Sequence, residues 1–167
     1  MHLRPAQPED ALAVARVHVR SWQAAYRTLL PDDYLDQLRP EDRAPHYNFT
    51  TRDPQKPYTI VAAEEGIIQS FATAAPSRDS DLRGHGELYA LYVDPVYWNQ
   101  GVGVALITAA RTYLVQSGFQ QALLWVLTGN LRAERFYERN GWTTDDHHRT
   151  VTLWGIDVEE VRYLSVL

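Results

Sequence analysis

The chain has no cysteine among its 167 residues. This absence excludes a disulfide framework, a cysteine nucleophile and every metal site that needs thiolate ligands. It is compatible with a reducing compartment.

An excess of basic residues is also missing, because 16 Lys and Arg stand against 21 Asp and Glu and leave a formal net charge of −5. A protein that binds the phosphate backbone of nucleic acid presents a basic face, so we expect no nucleic-acid partner. The apolar runs fall well short of the ~18 residues that a membrane span needs. The segment Met1–Pro5 turns polar at once and lacks the apolar region of a signal peptide. We therefore expect a cytoplasmic protein with no membrane partner.

What the chain does contain is a globular composition, with 45% hydrophobic and 22% charged residues in a length that suits one domain. Apolar residues recur with helical or strand periodicity, and no repeat or linker interrupts them. The sequence predicts a single α/β domain over residues 1–167 in the order β-α-α-β-β-β-α-β-α-β-β. The predicted strands are 2–4, 58–64, 67–74, 87–93, 122–127 and two within 142–167; the predicted helices begin near 8, 31, 101 and 131.

Two glycines, Gly101 and Gly103, lie at the start of the predicted helix 101–116. Glycine lets backbone N–H groups approach an anion without a Cβ in the way. The first N–H groups of a helix have no partner within it, and the helix dipole adds about half a positive charge there. An acidic protein can hold a pyrophosphate in this way with few basic side chains. The turn therefore predicts a phosphate-bearing cofactor.

Two other phosphate-binding motifs are excluded by the residues around this turn. A dinucleotide-binding turn needs a third glycine where this chain has Leu106, and it follows its strand directly, whereas several residues separate Val93 from Gly101. The string that defines a P-loop is absent. Because a lone pair of glycines before a helix is a weak signal, the function has to be inferred from the wider pattern.

Three segments, taken in order, resemble the GNAT N-acetyltransferase superfamily of the small bacterial type. Residues 87–95 are similar to its fourth strand, residues 100–106 to its pyrophosphate loop, and residues 130–142 to its N-x-x-A-x-x-F-Y-x-x-x-G-[FW] segment. Residues 21–31 resemble an opening seen in many bacterial members, so the resemblance covers nearly the whole chain. It implies the acyl-CoA N-acyltransferase fold, a single mixed, mostly antiparallel twisted sheet of about seven strands flanked by about four helices. It also implies acetyl transfer from acetyl-CoA to a primary amine by direct attack in a ternary complex.

The resemblance assigns the binding of this cofactor to strand, turn and helix residues. Main-chain groups of Leu91 and Val93, with Tyr92 between them, would pair with the pantetheine arm as an added strand. Backbone amides of the turn would hold the pyrophosphate; these belong to Asn99, Gln100, Gly101, Val102, Gly103 and Val104.

Three further positions complete this assignment. Asn130 would bind the pantetheine, and Tyr137 would lie beside the thioester sulfur. The sequence departs from the family pattern at Trp98, where Arg or Gln is frequent. A side-chain contact to the phosphates is lost there, while the backbone contacts remain.

Acetyl transfer needs a neutral amine, a stabilised thioester oxygen and a protonated leaving thiolate. Tyr137 is the predicted acid, the backbone N–H of Val93 is the predicted donor to the oxygen, and Glu87 is the predicted base. Some relatives carry a glutamate at the position of Trp125, so that route is closed here. A chain of waters without a dedicated base is the alternative.

Trp22, Tyr26 and Tyr89 are predicted to line the acceptor pocket, although Trp22 and Tyr26 also fit an ordinary core stripe. The net negative charge favours a cationic acceptor, either a small-molecule amine or the N-terminus or lysine of a protein. The sequence Asp145-Asp146-His147-His148 does not predict a metal site, since neighbours on a strand point to opposite faces. The alternative function is a non-catalytic acyl-CoA-binding or sensing module. A homodimer is a separate hypothesis about the oligomeric state.

Overall fold

Segments rich in β-branched and aromatic residues form seven strands, and the computed structural model describes all of residues 1–167. The strands are β1 (His2–Pro5), β2 (Tyr58–Glu64), β3 (Ile67–Pro76), β4 (Gly86–Val93), β5 (Gln121–Leu127), β6 (Thr143–Leu153) and β7 (Ile156–Val166). They form one sheet in the order β1-β2-β3-β4-β5-β7-β6. Only β4 and β5 run parallel to each other. The predicted mixed, mostly antiparallel sheet is confirmed.

Five helices flank this sheet, one more than the predicted order contains. They are α1 (Ala11–Ala25), α2 (Asp32–Asp36), α3 (Pro40–Arg43), α4 (Val102–Gln116) and α5 (Leu131–Arg139). The additional helix is α3, which lies where proline suggested only an interruption. Pro40 occupies the first helical turn and two acids follow it, an arrangement that favours a helix start.

The sheet buries both of its faces because neighbouring residues of its central strands point in opposite directions. Ile60 and Ala62 of β2 pack in the core beneath α4, together with Leu106. Val61 of β2 points the other way and packs with Val14 of α1. The structure therefore has an α4 face, which α5 also covers, and an α1 face.

The pairing of β4 with β5 is short. Only Gly86 with Ala122 and Glu87 with Leu123 are paired. Beyond these residues β4 stays paired with β3 as far as Val93, while β5 stays paired with β7. The two parallel strands therefore separate, and an opening forms in the middle of the sheet.

A buried arginine anchors the polar segment 77–85 beside this opening. The Arg162 side chain is only 5% exposed, and its guanidinium contacts carboxylates of Asp79 at 3.0 Å, Asp81 at 2.9 Å and Asp145 at 2.7 Å. Hydrogen bonds from Arg162 lower the pKa of Asp81. At Asp145, burial acts to raise the pKa, but the hydrogen bonds from Arg162 lower it below its ordinary value. Arg162 thus ties a segment with no regular structure to the sheet.

Replacing Arg162 by Met should destabilise the fold, because it leaves buried Asp79 without its closest counter-charge. We expect the free energy of unfolding at pH 7 to fall by about 3 kcal/mol, the usual cost of breaking a buried pair. The folded-state pKa of Asp145 lies below its ordinary value. Its contribution is therefore present above about pH 4 and is lost as the pH falls through the folded-state pKa. Urea unfolding of both proteins at about pH 7 and about pH 3.5 should show the difference between them shrinking in acid.

Arg27→Met provides the control, because Arg27 pairs with Asp32 and Asp36 on the surface. Exposed pairs contribute little, so its unfolding midpoint should hardly change. Equal losses in the two variants would contradict the anchoring role of Arg162.

Candidate active site

The opening between β4 and β5 is part of a cleft of about 1200 Å³. Nearly all of the predicted site residues line it: Trp22, Tyr26, Glu87, Tyr89, Leu91, Tyr92, Val93, Asn99, Gly101, Val102, Gly103, Val104, Asn130 and Tyr137. Gln100 is the exception, since its side chain is turned away and donates to the carbonyl of Val96 at 3.0 Å. The fold therefore brings together residues from α1, β4, the glycine turn and α5.

The edge of β4 presents main-chain groups to the opening. The N–H of Asp94, directly after β4, donates to the carbonyl of Gln69 at 2.9 Å. Alternate residues of an antiparallel strand point their main-chain groups to the same neighbour, so those of Tyr92 face β3. The groups of Leu91 and Val93 consequently face the opening, where β5 no longer pairs with them.

The carbonyl of Val93 already has partners within the protein. It accepts hydrogen bonds from Ser21 Oγ at 2.9 Å and from Trp98 Nε1 at 2.8 Å. These contacts fix the end of β4 against α1 and the glycine turn. The N–H of Val93 and both main-chain groups of Leu91 are left without a strand partner.

The glycine turn begins α4 with unpaired amides. Gly101 has a φ of 81°, a left-handed conformation that glycine adopts at little cost. The N–H of Ala105 donates to the carbonyl of Gly101 at 3.1 Å and is the first to reach back within the helix. The preceding N–H groups of residues 102–104 have no such partner. A Cβ on Gly103 would lie 3.3 Å from the ring of Phe136, so glycine also allows the close approach of α5.

Two residues of α5 add polar groups to the same side of the cleft. Asn130 Oδ1 accepts from the N–H of Ala133 at 3.3 Å and caps the helix, while its Nδ2 has no protein partner. Tyr137 is 9% exposed, and no protein group hydrogen-bonds its hydroxyl. Burial, with a smaller contribution from Tyr92, raises the pKa of Tyr137 well above its usual value. Its hydroxyl is therefore a neutral proton donor.

A positively charged side chain from another element lies against the ring of Trp98. The guanidinium of Arg132, in the first turn of α5, lies 3.5 Å from the centre of the Trp98 ring. Loss of solvation lowers the pKa of Arg132 from a very high starting value, so the group stays charged. Both residues line the cleft beside the glycine turn. Arg132 was not predicted as a site residue, because nothing in the order of residues shows that it stacks on Trp98.

Many aromatic side chains line the cleft on the α1 face, among them Tyr47 and Phe71, and we call four of them the aromatic box: Trp22, Tyr26, Tyr92 and Trp154. Ring centres of Trp22 and Tyr26 are 5.1 Å apart, and those of Trp22 and Trp154 are 4.3 Å apart. Trp154 lies in the turn between β6 and β7, where the hydroxyl of Tyr34 donates to its carbonyl at 2.8 Å. Trp154 is also absent from the predicted site, because only the packing of this hairpin brings it to α1.

Two buried carboxylates face the same part of the cleft. Glu87 is 1% exposed, and both of its oxygens accept hydrogen bonds from Arg78, Oε1 from the backbone N–H at 2.9 Å and Oε2 from Nη2. Glu160 on β7 is 7% exposed, and Arg149 donates to its Oε1 at 2.9 Å. Arg78 also covers the ring of Tyr89, at 3.6 Å from its centre. Glu160 could not be singled out from sequence, where it looks like one polar residue of an alternating strand.

The histidines and carboxylates of the chain do not form a metal site. No group of three or more His, Asp or Glu side chains is arranged to hold a metal ion, and this includes His147 and His148. None of the helices has the length and apolarity needed to cross a membrane.

A family model described as the acetyltransferase (GNAT) family matches residues 19–142, about three quarters of the chain. The chain belongs to this family. The N-acetyltransferase YuaI of Bacillus subtilis is 32% identical over 128 residues, which span 77% of this chain and 72% of that protein. An N-acetyltransferase of Archaeoglobus fulgidus is 31% identical over 140 residues, or 82% and 89% of the two chains. Mycothiol acetyltransferase of Propionibacterium freudenreichii is 38% identical over 85 residues, but these span only 27% of that protein.

Solved structures of the same fold include two with a bound cofactor. PaiA N-acetyltransferase of Thermoplasma acidophilum, in complex with coenzyme A, superimposes with a TM-score of 0.80 at 18% identity, covering 99% of this chain and 98% of that one. YncA of Salmonella typhimurium, solved with acetyl-CoA, gives a TM-score of 0.72 at 16% identity and covers 99% and 93%. The resemblance inferred from sequence is confirmed, and this GNAT protein is an acetyl-CoA-dependent N-acetyltransferase.

Replacing Gly101 by Val should weaken CoA binding, because a β-branched residue resists the left-handed conformation that begins α4. We expect the dissociation constant for CoA, measured by calorimetry, to rise at least about tenfold. Gly66→Val is the matched control, since Gly66 has nearly the same φ, 79°, but lies in the β2–β3 turn. A Cβ added at either glycine would meet no other atom within 4 Å. Both variants should lose similar stability, and comparable CoA affinity in the two would contradict the role of the turn.

Proposed function

We propose that this GNAT acetyltransferase binds acetyl-CoA along the β4 edge and the glycine turn, and moves the acetyl group directly to a primary amine in a ternary complex. The observation that carries this proposal is the separation of β4 from β5, which leaves both main-chain groups of Leu91 and the N–H of Val93 without partners beside the unpaired amides of α4. An extended amide-containing chain can complete such an edge as an added strand. The turn amides supply donors for a diphosphate, and Arg132 adds a positive charge at the same mouth.

The chain's own groups suit each part of the transfer. The N–H of Val93 would donate to the thioester oxygen as negative charge develops on it. As the new C–N bond forms and the C–S bond breaks, the hydroxyl of Tyr137 would give its proton to the departing sulfur. Its raised pKa supports this role, since the proton stays on the phenol throughout the neutral range. Asn130 has a free Nδ2 that would hold the pantetheine.

Glu87 stays the predicted base, and the contacts of its carboxylate restrict how it could accept a proton. Since both of its oxygens accept hydrogen bonds from Arg78, it can take a proton from the acceptor only through a water or after Arg78 moves. Trp22, Tyr26 and Tyr89 are proposed as acceptor-pocket walls, because all three line the cleft. A cytoplasmic location, a homodimer and the choice between a small amine and a protein amine likewise stay predictions.

Replacing Tyr137 by Phe should slow turnover without weakening cofactor binding, because only the proton donor is removed. We expect kcat to fall about a hundredfold, within the usual contribution of a general acid, while the dissociation constant for CoA stays within about twofold. Release of free thiol from acetyl-CoA measures turnover across a panel of amines, and the chain adds no thiol of its own. In the wild type, the raised pKa of Tyr137 predicts that its acid function is kept below about pH 10 and lost only above it.

Tyr163→Phe is the control for this experiment. It also removes a buried phenol hydroxyl, one that donates to Glu134 at 3.0 Å away from the cleft. An unchanged kcat in Tyr137→Phe, or an equal loss in both variants, would remove the acid role.

A further inference from the structure

We propose that Glu160 and the aromatic box bind the acceptor's ammonium group, so that the acceptor is a primary alkylammonium carried on an aromatic or apolar body. The inference rests on the proposed function, because it names the acceptor class of that same reaction. It starts from a carboxylate on the last strand, outside the segments that resemble the family and outside residues 19–142 that the family model matches.

The strand register brings Glu160 to the opening. Glu160 on β7 lies opposite Leu127, the last residue of β5. Residues opposite each other on paired strands project from the same face of the sheet. Leu127 packs with Trp22 and Tyr26, so Glu160 also projects from the α1 face, whereas Tyr137 belongs to the core beneath α4. Once the ammonium bound at Glu160 has given a proton to a water, the neutral amine would therefore approach the thioester from the side opposite the proposed acid.

One oxygen of Glu160 has unused capacity. Arg149 contacts Glu160 through two nitrogens, and both reach Oε1, Nε at 2.9 Å and Nη2 at 2.8 Å. Oε2 accepts no hydrogen bond from the protein, although the residue is more than nine-tenths buried and lines the cleft. Because Oε2 is accessible from the cleft, an ammonium group could donate a charge-assisted hydrogen bond to it. Glu87 differs in this respect, because Arg78 engages both of its oxygens.

The charged groups around Glu160 come from several strands and from α3. Asp79, Glu87 and Glu160 line this part of the cleft together with Arg43, Arg78 and Arg149, whereas Asp81, Asp145 and Arg162 lie outside its lining. Arg43, from α3, lies 4.7 Å from the Trp154 ring centre. Burial, with a smaller contribution from the charge of Glu160, raises the pKa values of Tyr26 and Tyr92, so neither adds a negative charge. Among these three carboxylates, only Glu160 has an oxygen, Oε2, that no protein group donates to, so an ammonium would complete its hydrogen bonds.

The aromatic box supplies the remainder of the site. Aromatic faces attract a cation electrostatically and also bury an apolar body. The stacked rings of Trp22 and Trp154 form one wall, and Tyr26 meets Trp22 edge to face. A strongly polar acceptor such as a polyamine would leave these walls unused.

Two probes that differ only in charge test the site. Phenethylamine carries an ammonium at neutral pH and 2-phenylethanol carries a hydroxyl on the same body. Calorimetry on the CoA-saturated wild type should give a dissociation constant at least about tenfold lower for phenethylamine. In Glu160→Gln the two probes should bind within about twofold of each other, while the affinity for CoA is unchanged and reports an intact fold.

Glu159→Gln is the matched control, because Glu159 is the exposed neighbour on the opposite face and pairs with His148 at 3.4 Å. It should keep the charge preference of the wild type. Wild-type protein that does not bind phenethylamine, or does not prefer it, overturns the proposal without any variant. A preference that persists in Glu160→Gln but disappears in Glu87→Gln overturns it as well.

Measuring thiol release from acetyl-CoA distinguishes a failure of this inference from a failure of the proposed function. If amines are acetylated but Glu160→Gln leaves the charge preference intact, the transfer reaction stands and the assignment of Glu160 fails. If no amine is acetylated while the preference depends on Glu160, the ammonium site stands and the proposed function fails.

Discussion

Two residue pairs hold β4 against β5, and the site depends on the pairing ending there. Outside the opening, β3 keeps β4 in place and β7 keeps β5 in place, so the sheet can separate in its middle without losing its order. Backbone groups that lack partners in a protein interior are costly. Both main-chain groups of Leu91 and the N–H of Val93 avoid this cost only where water or a ligand reaches them. The extended arm of the proposed cofactor would supply such partners to this edge.

Packing and hydrogen bonds connect the groups that surround the opening. Phe136 packs against Gly103, so the start of α4 and the helix that carries Tyr137 hold each other in position. Ser21 and Trp98 both donate to the carbonyl of Val93, which ties α1 and the glycine turn to the end of β4. The proposed cofactor site on the α4 face and the proposed acceptor site on the α1 face are therefore joined by these contacts.

Several elements of the fold and of the candidate site could be predicted from short stretches of sequence. The strand pattern on either side of Glu65-Gly66, the glycines before α4 and the motif around Asn130 each contain their signal within a few residues. Other features depend on pairings between distant segments. The stacking of Arg132 on Trp98, the position of Trp154 above Trp22 and the approach of Glu160 to the end of β5 become visible only with the sheet register. The helix α3 departs from the predicted order because proline usually interrupts a helix, whereas Pro40 occupies the first turn of this one.

Titration of isotope-labelled protein with CoA, followed through the backbone amide resonances, tests the central claim most directly. The account predicts that the largest shifts fall on Val102, Gly103 and Val104 and on Leu91 and Val93, because those N–H groups gain acceptors that the protein does not provide. Amides of β1 and of the β6–β7 hairpin should hardly move. Saturating CoA that leaves the start of α4 and the β4 edge unperturbed would contradict the account.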